Sequence, residues 1–401
     1  MPIVRPSILI WARESAGLSL EEAAAKVGIN DARGVSGADR LGTLETDEGE
    51  VSRAVLLKMA KAYRRPLVSF YLSEPPRRGD RGEDFRTVPD RHTDCEPLVD
   101  ALVRDIRSRQ AVVRAVLVDE DESKPLKFVG SMSRDDGIGA VLASIKQTLN
   151  FDLAEFRAQG SAESGFAMLR SRVEAAGVFV LLIGNLGSHH SAIDVEAFRG
   201  FALADSIAPF IVVNDQDAKS AWSFTLLHEL AHLWLGSTGV SGGHIEGVTE
   251  QFCNDVASGF LLPHGELDQI EIGHGTSQAE ASYLISAFAD ERLISRSMVA
   301  YRLLRAGKIG TLMWRNLAEA FKTEWQHSRA AQRERARGLD GGPNYYIVRR
   351  HRLGAALLNF VARNMSEGVL TPTRASKLLG VKPRSVHPLL SGAALAFEQV
   401  A

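Results

Sequence analysis

FTLLHELAHLWL, residues 224–235, is the most informative stretch of this 401-residue chain. His228 and His232 are four residues apart, so on a helix their side chains share one face. Apolar residues flank them on both sides, which predicts a helix that is buried on most sides. The predicted helix runs from about Ser220 to Leu235, and Gly236 ends it. Buried histidines of this kind need a polar partner.

This spacing suits a metal ion. Two neutral imidazoles, those of His228 and His232, are able to share one tetrahedral Zn²⁺. Glu229 is placed to hold a water molecule and take its proton, because zinc lowers the pKa of bound water toward ~7. The same five-residue pattern also arises by chance, as a helix with two surface histidines and a glutamate. The apolar flanks favour the metal interpretation.

Three downstream residues are candidates for a third metal ligand: His244, Glu246 and Glu250. Glu250 is favoured because it lies on the next predicted helix, Val248 to Leu262, where Asn254 follows one turn later and can orient a zinc-bound histidine. His244 and Glu246 fall in a Gly-rich stretch, and His244 is the reserve candidate. Three protein ligands leave one coordination position open, as in catalytic zinc sites. Mn²⁺ is able to compete for such a set.

The surroundings of this helix predict an α+β arrangement that is mostly helical. Short apolar, β-branched runs before it predict three strands, at 178–183, 198–203 and 209–213. Residues 138 to 176 and the chain after Pro263 are predicted to be helical. An Arg-rich polar stretch, 327 to 343, is predicted to break the helices near the C-terminus.

Residues 6 to 72 predict a compact helical block. Ser19 and Glu22 have the spacing of a capping box, and Gly28 closes the helix that they begin. Two more helices are expected, at Arg40 to Thr46 and at Ser52 to Tyr63. A charged, Pro- and Gly-rich segment then predicts a linker.

The composition and charge of the chain limit the classes of protein to which it can belong. Hydrophobic residues make up 45% and charged residues 24%, which is ordinary for a folded protein, and the net charge of −2 provides no global attraction to nucleic acid or anionic membranes. Only two cysteines occur, so a disulfide framework is excluded. The absence of a signal peptide or a long apolar run predicts a cytoplasmic protein without a membrane partner.

The block 224–235, followed by Thr249 to Asn254 and Gly259 to Pro263, resembles the ImmA/IrrE family of zinc metallopeptidases. That family typically shows H-E-x-x-H and then E-x-x-A-N-x-F-A-x-x-L-L-x-P. Here Cys253 stands at the usual Ala and Val256 at the usual aromatic position. The resemblance covers about residues 160 to 310 and implies a gluzincin-like metallopeptidase domain with a small sheet. It further implies zinc bound by three residues and a general base, namely His228, His232 and Glu250 with Glu229.

The N-terminal block resembles the helix-turn-helix of XRE-type regulators, through residues 17–24, 44–49 and 57–71. Fusions of the two modules imply a regulator that cleaves a repressor or antitoxin in a stress, prophage or toxin–antitoxin response. Helix-turn-helix repressors act as symmetric dimers, so the resemblance also implies a homodimer.

Whether this block reads DNA is left open by its charges. The expected recognition segment, Ala38 to Gly49, is acidic on balance, although it contains Arg40. Arg33 and Arg53 join Arg40 as candidate DNA contacts, and the alternative use of the block is to grip a protein. Near the C-terminus, Thr371 to Leu390 resembles a second small helix-turn-helix. Two basic runs in that tail are candidates for nucleic-acid contact, and solvated helix faces are the alternative: 349–352 and 382–384.

These observations predict four segments: a helix-turn-helix domain at 1–74, a linker at 75–96, a metallopeptidase domain at 97–310 with its core at 160–270, and a helical C-terminal region at 311–401. The predicted function is a zinc-dependent endopeptidase in a regulatory setting. The alternative is a helix-turn-helix regulator or antitoxin-like binding protein whose zinc domain is a sensor or a scaffold. An intact Glu229 favours the peptidase, because a metal scaffold does not need that residue.

Overall fold

The computed structural model describes residues 4–46, 51–76, 96–187, 191–241, 247–273, 275–337 and 344–397. The chain divides into two compact units, Met1–Asp105 and Ile106–Ala401. Within the described ranges no helix is both long enough and apolar enough to cross a membrane.

In residues 4–46 and 51–76 of the first unit, the structure describes four helices and a short 3-10 turn, Leu67–Tyr71: α1 (Pro6–Glu14), α2 (Leu20–Val27), α3 (Gly37–Thr46) and α4 (Arg53–Ala62). Their apolar faces enclose a core that includes Leu41, Met59 and Phe70. The predicted capping box is confirmed, because the N–H of Glu22 donates to Ser19 Oγ and the N–H of Ser19 donates to the Glu22 carboxylate.

The second unit begins with a run of helices, of which the last packs against the first strand of the sheet. Helix α5 spans the boundary between the units, and three helices follow it: α5 (Glu96–Asp119), α6 (Gly137–Leu149), α7 (Leu153–Arg157) and α8 (Ala162–Ala175). The helical stretch predicted at 138 to 176 is therefore three helices. Asn150 ends α6 in the left-handed conformation, with φ +44°, and the Asp152 side chain caps the start of α7.

A four-stranded sheet occupies the centre of the second unit, in the order β1-β3-β2-β4: β1 (Phe179–Leu182), β2 (Gly200–Leu203), β3 (Phe210–Val213) and β4 (Gly239–Ser241). β1 pairs with β3 in parallel, and β2 runs antiparallel to β3 and β4. Every residue of the first three strands is buried. The three predicted strands are confirmed with shorter bounds, and β4 was not predicted.

Two helices that pack against each other carry the candidate site, α9 (Lys219–Trp234) and α10 (Val248–Leu261), and α9 also packs on β2 and β3. Three further helices follow: α11 (Gln278–Glu291), α12 (Arg296–Arg305) and α13 (Thr311–Arg337). The break predicted at 327 to 343 is wrong for its first part, since α13 continues through Arg337. Alanine, arginine, glutamate and glutamine dominate that part, and they are strong helix formers in spite of their polarity.

The C-terminal region is helical, as expected: α14 (Tyr345–Ser366), α15 (Pro372–Leu379) and α16 (Val386–Phe397). Helix α14 packs along β1 and is interrupted at Gly354, which has φ +77° and ψ 162°. α15 and α16 both pack against α14.

Candidate metal centre

Helix α9 presents the three residues of the HELAH pattern to the interior. His228 and His232 are each 4% exposed, and Glu229 is fully buried. Apolar neighbours on every side hold the helix in the core, because α9 contacts α8, α10, β2 and β3 at once. The local sequence therefore fixes the positions of two imidazoles and one carboxylate in a place with little access to water.

Helix α10 brings Glu250 to the two histidines. The Nε2 atoms of His228 and His232 are 3.1 Å apart, and the Glu250 carboxylate lies 3.2 Å from each of them. We name these three residues the His-His-Glu cluster; their ligand atoms all lie within 4.8 Å of one another. Glu250 was favoured over His244 and Glu246 from the sequence, and the structure brings Glu250 to the histidines. His244 and Glu246 lie outside the described residues.

The spacing of the cluster suits a tetrahedral metal ion. Ligand atoms placed about 2.0–2.1 Å from a tetrahedral zinc lie roughly 3.3 Å from one another. The two Nε2 atoms are 3.1 Å apart, and each lies 3.2 Å from a different oxygen of Glu250, Oε2 for His228 and Oε1 for His232. These separations are close to that value, so the two imidazoles and the carboxylate are near enough to share one metal ion.

Burial and mutual contacts shift the pKa values of all three residues of the His-His-Glu cluster. Burial is the largest influence on His228 and lowers its pKa. Burial also opposes the charged form of His232, but interactions with Cys253 and Glu250 outweigh it and raise the pKa of this histidine. Burial acts to raise the pKa of Glu250, yet its hydrogen bonds to the two histidines hold the pKa well below its ordinary value. Glu250 is therefore an anion, the charge state in which a carboxylate binds a metal. The imidazoles must be neutral to bind, so a bound metal would displace the proton that the raised pKa favours on His232.

Three neighbours hold the cluster in place. Ser237 Oγ lies 2.9 Å from Nδ1 of His232, the ring nitrogen that faces away from Glu250. The Asn254 side chain, one turn after Glu250, acts on His228 in the direction that raises its pKa. Cys253 is buried beside His232 and forms no disulfide. The sequence indicated Asn254 as a residue that orients a histidine, and the structure places it near His228. Ser237 lies three residues after the end of α9, and the sequence did not indicate it.

The Glu229 side chain lies against β2. A Cβ built at Gly200 would be 2.9 Å from Glu229 Oε1 and 2.7 Å from the Thr225 methyl group. Gly200 pairs with Val213 on one side and with Ser241 on the other, so its backbone is held within the sheet. Glycine at this position leaves the space that the carboxylate occupies. The sequence did not predict this contact.

The candidate DNA contacts lie in the first unit, where the structure describes all three. Arg33 is exposed, with φ +54°, and Arg53 is exposed at the start of α4. The Arg40 guanidinium donates a hydrogen bond to the carbonyl oxygen of Asn30. Asp39, on the same exposed stretch of α3, accepts from the Ser36 hydroxyl.

The part of the chain that contains this cluster is similar to a known family. Residues 185–322 match the family model Peptidase_M78, described as the IrrE N-terminal-like domain. This M78-like segment runs from the end of β1 into α13 and contains the His-His-Glu cluster together with Glu229 and Asn254. The match indicates a metallopeptidase-type domain. No curated protein and no solved structure matches the chain.

Proposed function

We propose that this chain is a zinc-dependent endopeptidase. The observation that carries the proposal is the His-His-Glu cluster with the buried Glu229 beside it on α9. Two imidazoles and one carboxylate are a ligand set used by catalytic zinc, and three ligands leave a coordination position for substrate chemistry. The M78-like segment supports the same reaction class.

The proposed metal is zinc, with Mn²⁺ as the competitor that this donor set admits. When bound, the metal supplies Lewis-acid chemistry, since it polarises the scissile carbonyl and makes a nearby water molecule more acidic. His228, His232 and Glu250 hold it in this proposal. Asn254 and Ser237 keep the imidazoles oriented, a role that neighbours of metal-binding histidines commonly have.

Glu229 is the proposed general base. Its carboxylate takes a proton from the attacking water and later delivers it to the nitrogen of the leaving amine. Burial between α9 and β2 restricts the carboxylate to a narrow range of positions, which favours catalysis because proton transfer depends on geometry.

We further infer a regulatory setting in the cytoplasm. The proposed substrate is a protein, namely a repressor or an antitoxin, and the proposed peptidase domain is residues 97–310. The proposed partner of residues 1–74 is DNA or the substrate protein. The support for this setting is the resemblance of the N-terminal block to XRE-type regulators.

The test is Glu229→Gln, with Glu271→Gln as a matched control at an exposed position. Each protein is loaded with zinc, its metal content is measured, and it is incubated with a bacterial lysate. New protein N-termini are then identified by mass spectrometry. We expect the wild type and the control to generate the same new N-termini, and Glu229→Gln to retain zinc and generate none.

The alternative of a sensor or scaffold makes a different prediction. If zinc-loaded wild type and Glu229→Gln generate the same N-termini, Glu229 is not the base and the proposed mechanism fails. If the zinc-loaded wild type generates no new N-termini, the peptidase proposal fails. The hypothesis that the zinc domain is a sensor or a scaffold then replaces it.

A further inference from the structure

The C-terminal region contains two short helices joined by a tight turn. α15 and α16 are separated by residues 380–385, and both pack against α14. Gly380 ends α15 in the left-handed conformation, with φ +60°. A side chain at this position would overlap the guanidinium of Arg349. Glycine is therefore favoured at this position, where the left-handed conformation ends α15 and begins the connection to α16.

Within residues 371–391, whose side chains the structure describes, most apolar positions are buried and most polar ones are exposed. The buried apolar positions are Ala375, Leu378, Leu379, Val386 and Leu389. The polar and proline positions at the turn and along the first turns of α16 are exposed: Lys382, Pro383, Arg384, His387, Pro388 and Ser391. In DNA-binding helix-turn-helix proteins, the N-terminal residues of the second helix are the ones that contact base edges.

We propose that α15 and α16 form a binding site for double-stranded DNA, with the start of α16 in the major groove. The charge of the region supports this. Residues 344–397 contain eight Lys or Arg and one acidic residue, Glu367, although the whole chain has a net charge of −2. Phosphate neutralisation by such cations supplies most of the affinity of non-specific DNA binding.

The basic residues of this region divide into two groups. Those on α14 are bonded to other parts of the protein. Arg349 donates to the carbonyl oxygens of Leu379 and Gly380, and Arg350 donates to that of Leu389, so these two arginines help to orient α15 and α16. Arg352 pairs with Asp215, and Arg363 pairs with Glu122. Of the two basic runs found in the sequence, 349–352 therefore has arginines that form contacts within the protein.

The second group faces solvent. Arg374, Lys377, Lys382 and Arg384 are exposed, and none forms an ion pair with any residue that the structure describes. Lys382 and Arg384 lie just before α16, where the positive end of the helix dipole adds to their charge. The surface therefore offers phosphate contacts from both helices and from the turn between them.

The chemistry of this surface favours DNA over other anionic partners. A membrane-binding helix needs an exposed apolar face, and a protein interface needs large apolar or aromatic anchors. The exposed large hydrophobic residues of the described C-terminal region are Tyr345 and Ile347, at the start of α14, and 371–391 contributes none. The equivalent exposed part of α3 in the first unit carries Asp39, and its Arg40 is bonded to a carbonyl oxygen.

The test measures DNA binding by the full chain. A fluorescein-labelled duplex of about 30 base pairs, long enough to include several helical turns, is titrated with protein across a range of salt concentrations. The variants each remove two exposed cations. Lys382→Ala/Arg384→Ala tests the proposed site, Lys124→Ala/Lys127→Ala is the matched control, and Arg33→Ala/Arg53→Ala tests the first unit. Equal thermal unfolding shows that each variant is folded.

We expect the wild type to bind, with affinity that falls as salt rises. Lys382→Ala/Arg384→Ala should weaken binding about tenfold or more and reduce the salt slope by about 2, one per lost phosphate contact. The other two variants should bind like the wild type. The proposal is overturned if the wild type does not bind, if only Arg33→Ala/Arg53→Ala loses binding, or if phosphatidylserine vesicles bind as tightly as the duplex.

Discussion

At the scale of single residues, the missing side chain at Gly200 sets how closely β2 approaches α9. The strand there is extended and paired on both sides, so the backbone itself does not require glycine. What requires it is space, because the Glu229 carboxylate and the Thr225 methyl group occupy the volume that a Cβ would fill. Gly200 therefore helps to position the proposed base through the space that it leaves free.

Gly200→Ala should displace Glu229 and leave the His-His-Glu cluster in place. Displacement of a catalytic group by about 1 Å is able to reduce the rate about 100-fold, so we expect kcat to fall by about that factor while metal content stays at the wild-type level. Kinetic measurement on a substrate found in the lysate experiment checks this. Gly139→Ala, at a position with open space, is the control.

Shortening Glu229 gives a second readout of the same contact. Glu229→Asp should cost less activity in the Gly200→Ala background than in the wild type, because the shorter side chain relieves the overlap with the new methyl group. Equal costs in both backgrounds, or full activity of Gly200→Ala, would contradict the positioning role.

The sequence was informative about residues whose spacing is local. His228, Glu229 and His232 lie within one helix, and Glu250 follows on the next, so their meeting was predictable. Gly200 reaches Glu229 only because β2 pairs with β3 in one register, Gly200 opposite Val213. Such a register depends on contacts between distant segments, which a single sequence does not reveal.

At the scale of elements, helices and strands with strong periodicity were predictable, and their ends were less so. Strand β4 was missed because its three residues, Gly239–Ser241, lie in a Gly-rich stretch without the alternation of a strand. The predicted end of α13 lies too early in the chain, because the polar composition of its second half is also typical of loops. Buried Leu317 and Phe321 anchor the first half of α13, and the polar second half continues it.

The segment after α10 is fixed by an ion-pair network that has a predicted pH dependence. Glu266 lies 2.8 Å from Arg157 and 3.1 Å from Arg292, so it links three stretches of chain. Burial acts to raise the pKa of Glu266, but the two arginines outweigh it and hold the pKa below its ordinary value of 4.5. The ionised carboxylate therefore stabilises the fold above that value, and the stabilisation is lost as the pH falls through the lowered pKa.

Glu266→Gln should accordingly lower the free energy of unfolding at neutral pH. The difference from the wild type should shrink as the pH falls below 4.5, because the unfolded chain then binds a proton on Glu266 that the folded protein does not, and it should be lost once the pH is below the lowered pKa of the folded state. Urea unfolding at a series of pH values measures this, with Glu271→Gln as the exposed control. A difference that is constant across the whole pH series would show that the ion pairs are not its source.

At the scale of the whole molecule, a buried ion pair on α8 links α14 to α8, and its arginine also donates to the carbonyl oxygen of Val180 in β1. Arg170 donates to the carbonyl oxygen of His351, which ends the first half of α14, and it forms an ion pair with Glu174. Glu174 accepts from the N–H groups of Ala355 and Ala356, which begin the second half. The pair thus satisfies backbone groups on both sides of the interruption at Gly354.

Gly354→Ala should be strongly destabilising. Its backbone conformation is available almost only to glycine, and a Cβ would overlap both Arg170 and Glu174. Disruption of a buried ion pair costs about 3–5 kcal/mol, so we expect a loss of that size in urea unfolding and faster proteolysis within 345–397. Gly160→Ala, at an open position, is the control. Wild-type stability and protease resistance would contradict the described docking of α14.

The sequence predicted helices in this region but not their role. Arg170 and Glu174 lie on a helix predicted only for its periodicity, and their partners are about 180 residues away. The basic runs of the tail were visible in the sequence, yet only the structure separates internally bonded arginines from exposed ones.

The most direct test of the central proposal is the metal content of purified protein, measured by elemental analysis on the wild type, His228→Ala, Glu250→Ala and Glu229→Gln. We predict about one zinc per chain in the wild type and in Glu229→Gln, and loss of zinc in His228→Ala and Glu250→Ala, because three ligands are required to hold it. Zinc retained by Glu250→Ala would assign the third ligand to His244 or Glu246. A wild-type protein that is folded after loading with zinc or manganese, and that retains neither, would contradict the proposed metal centre.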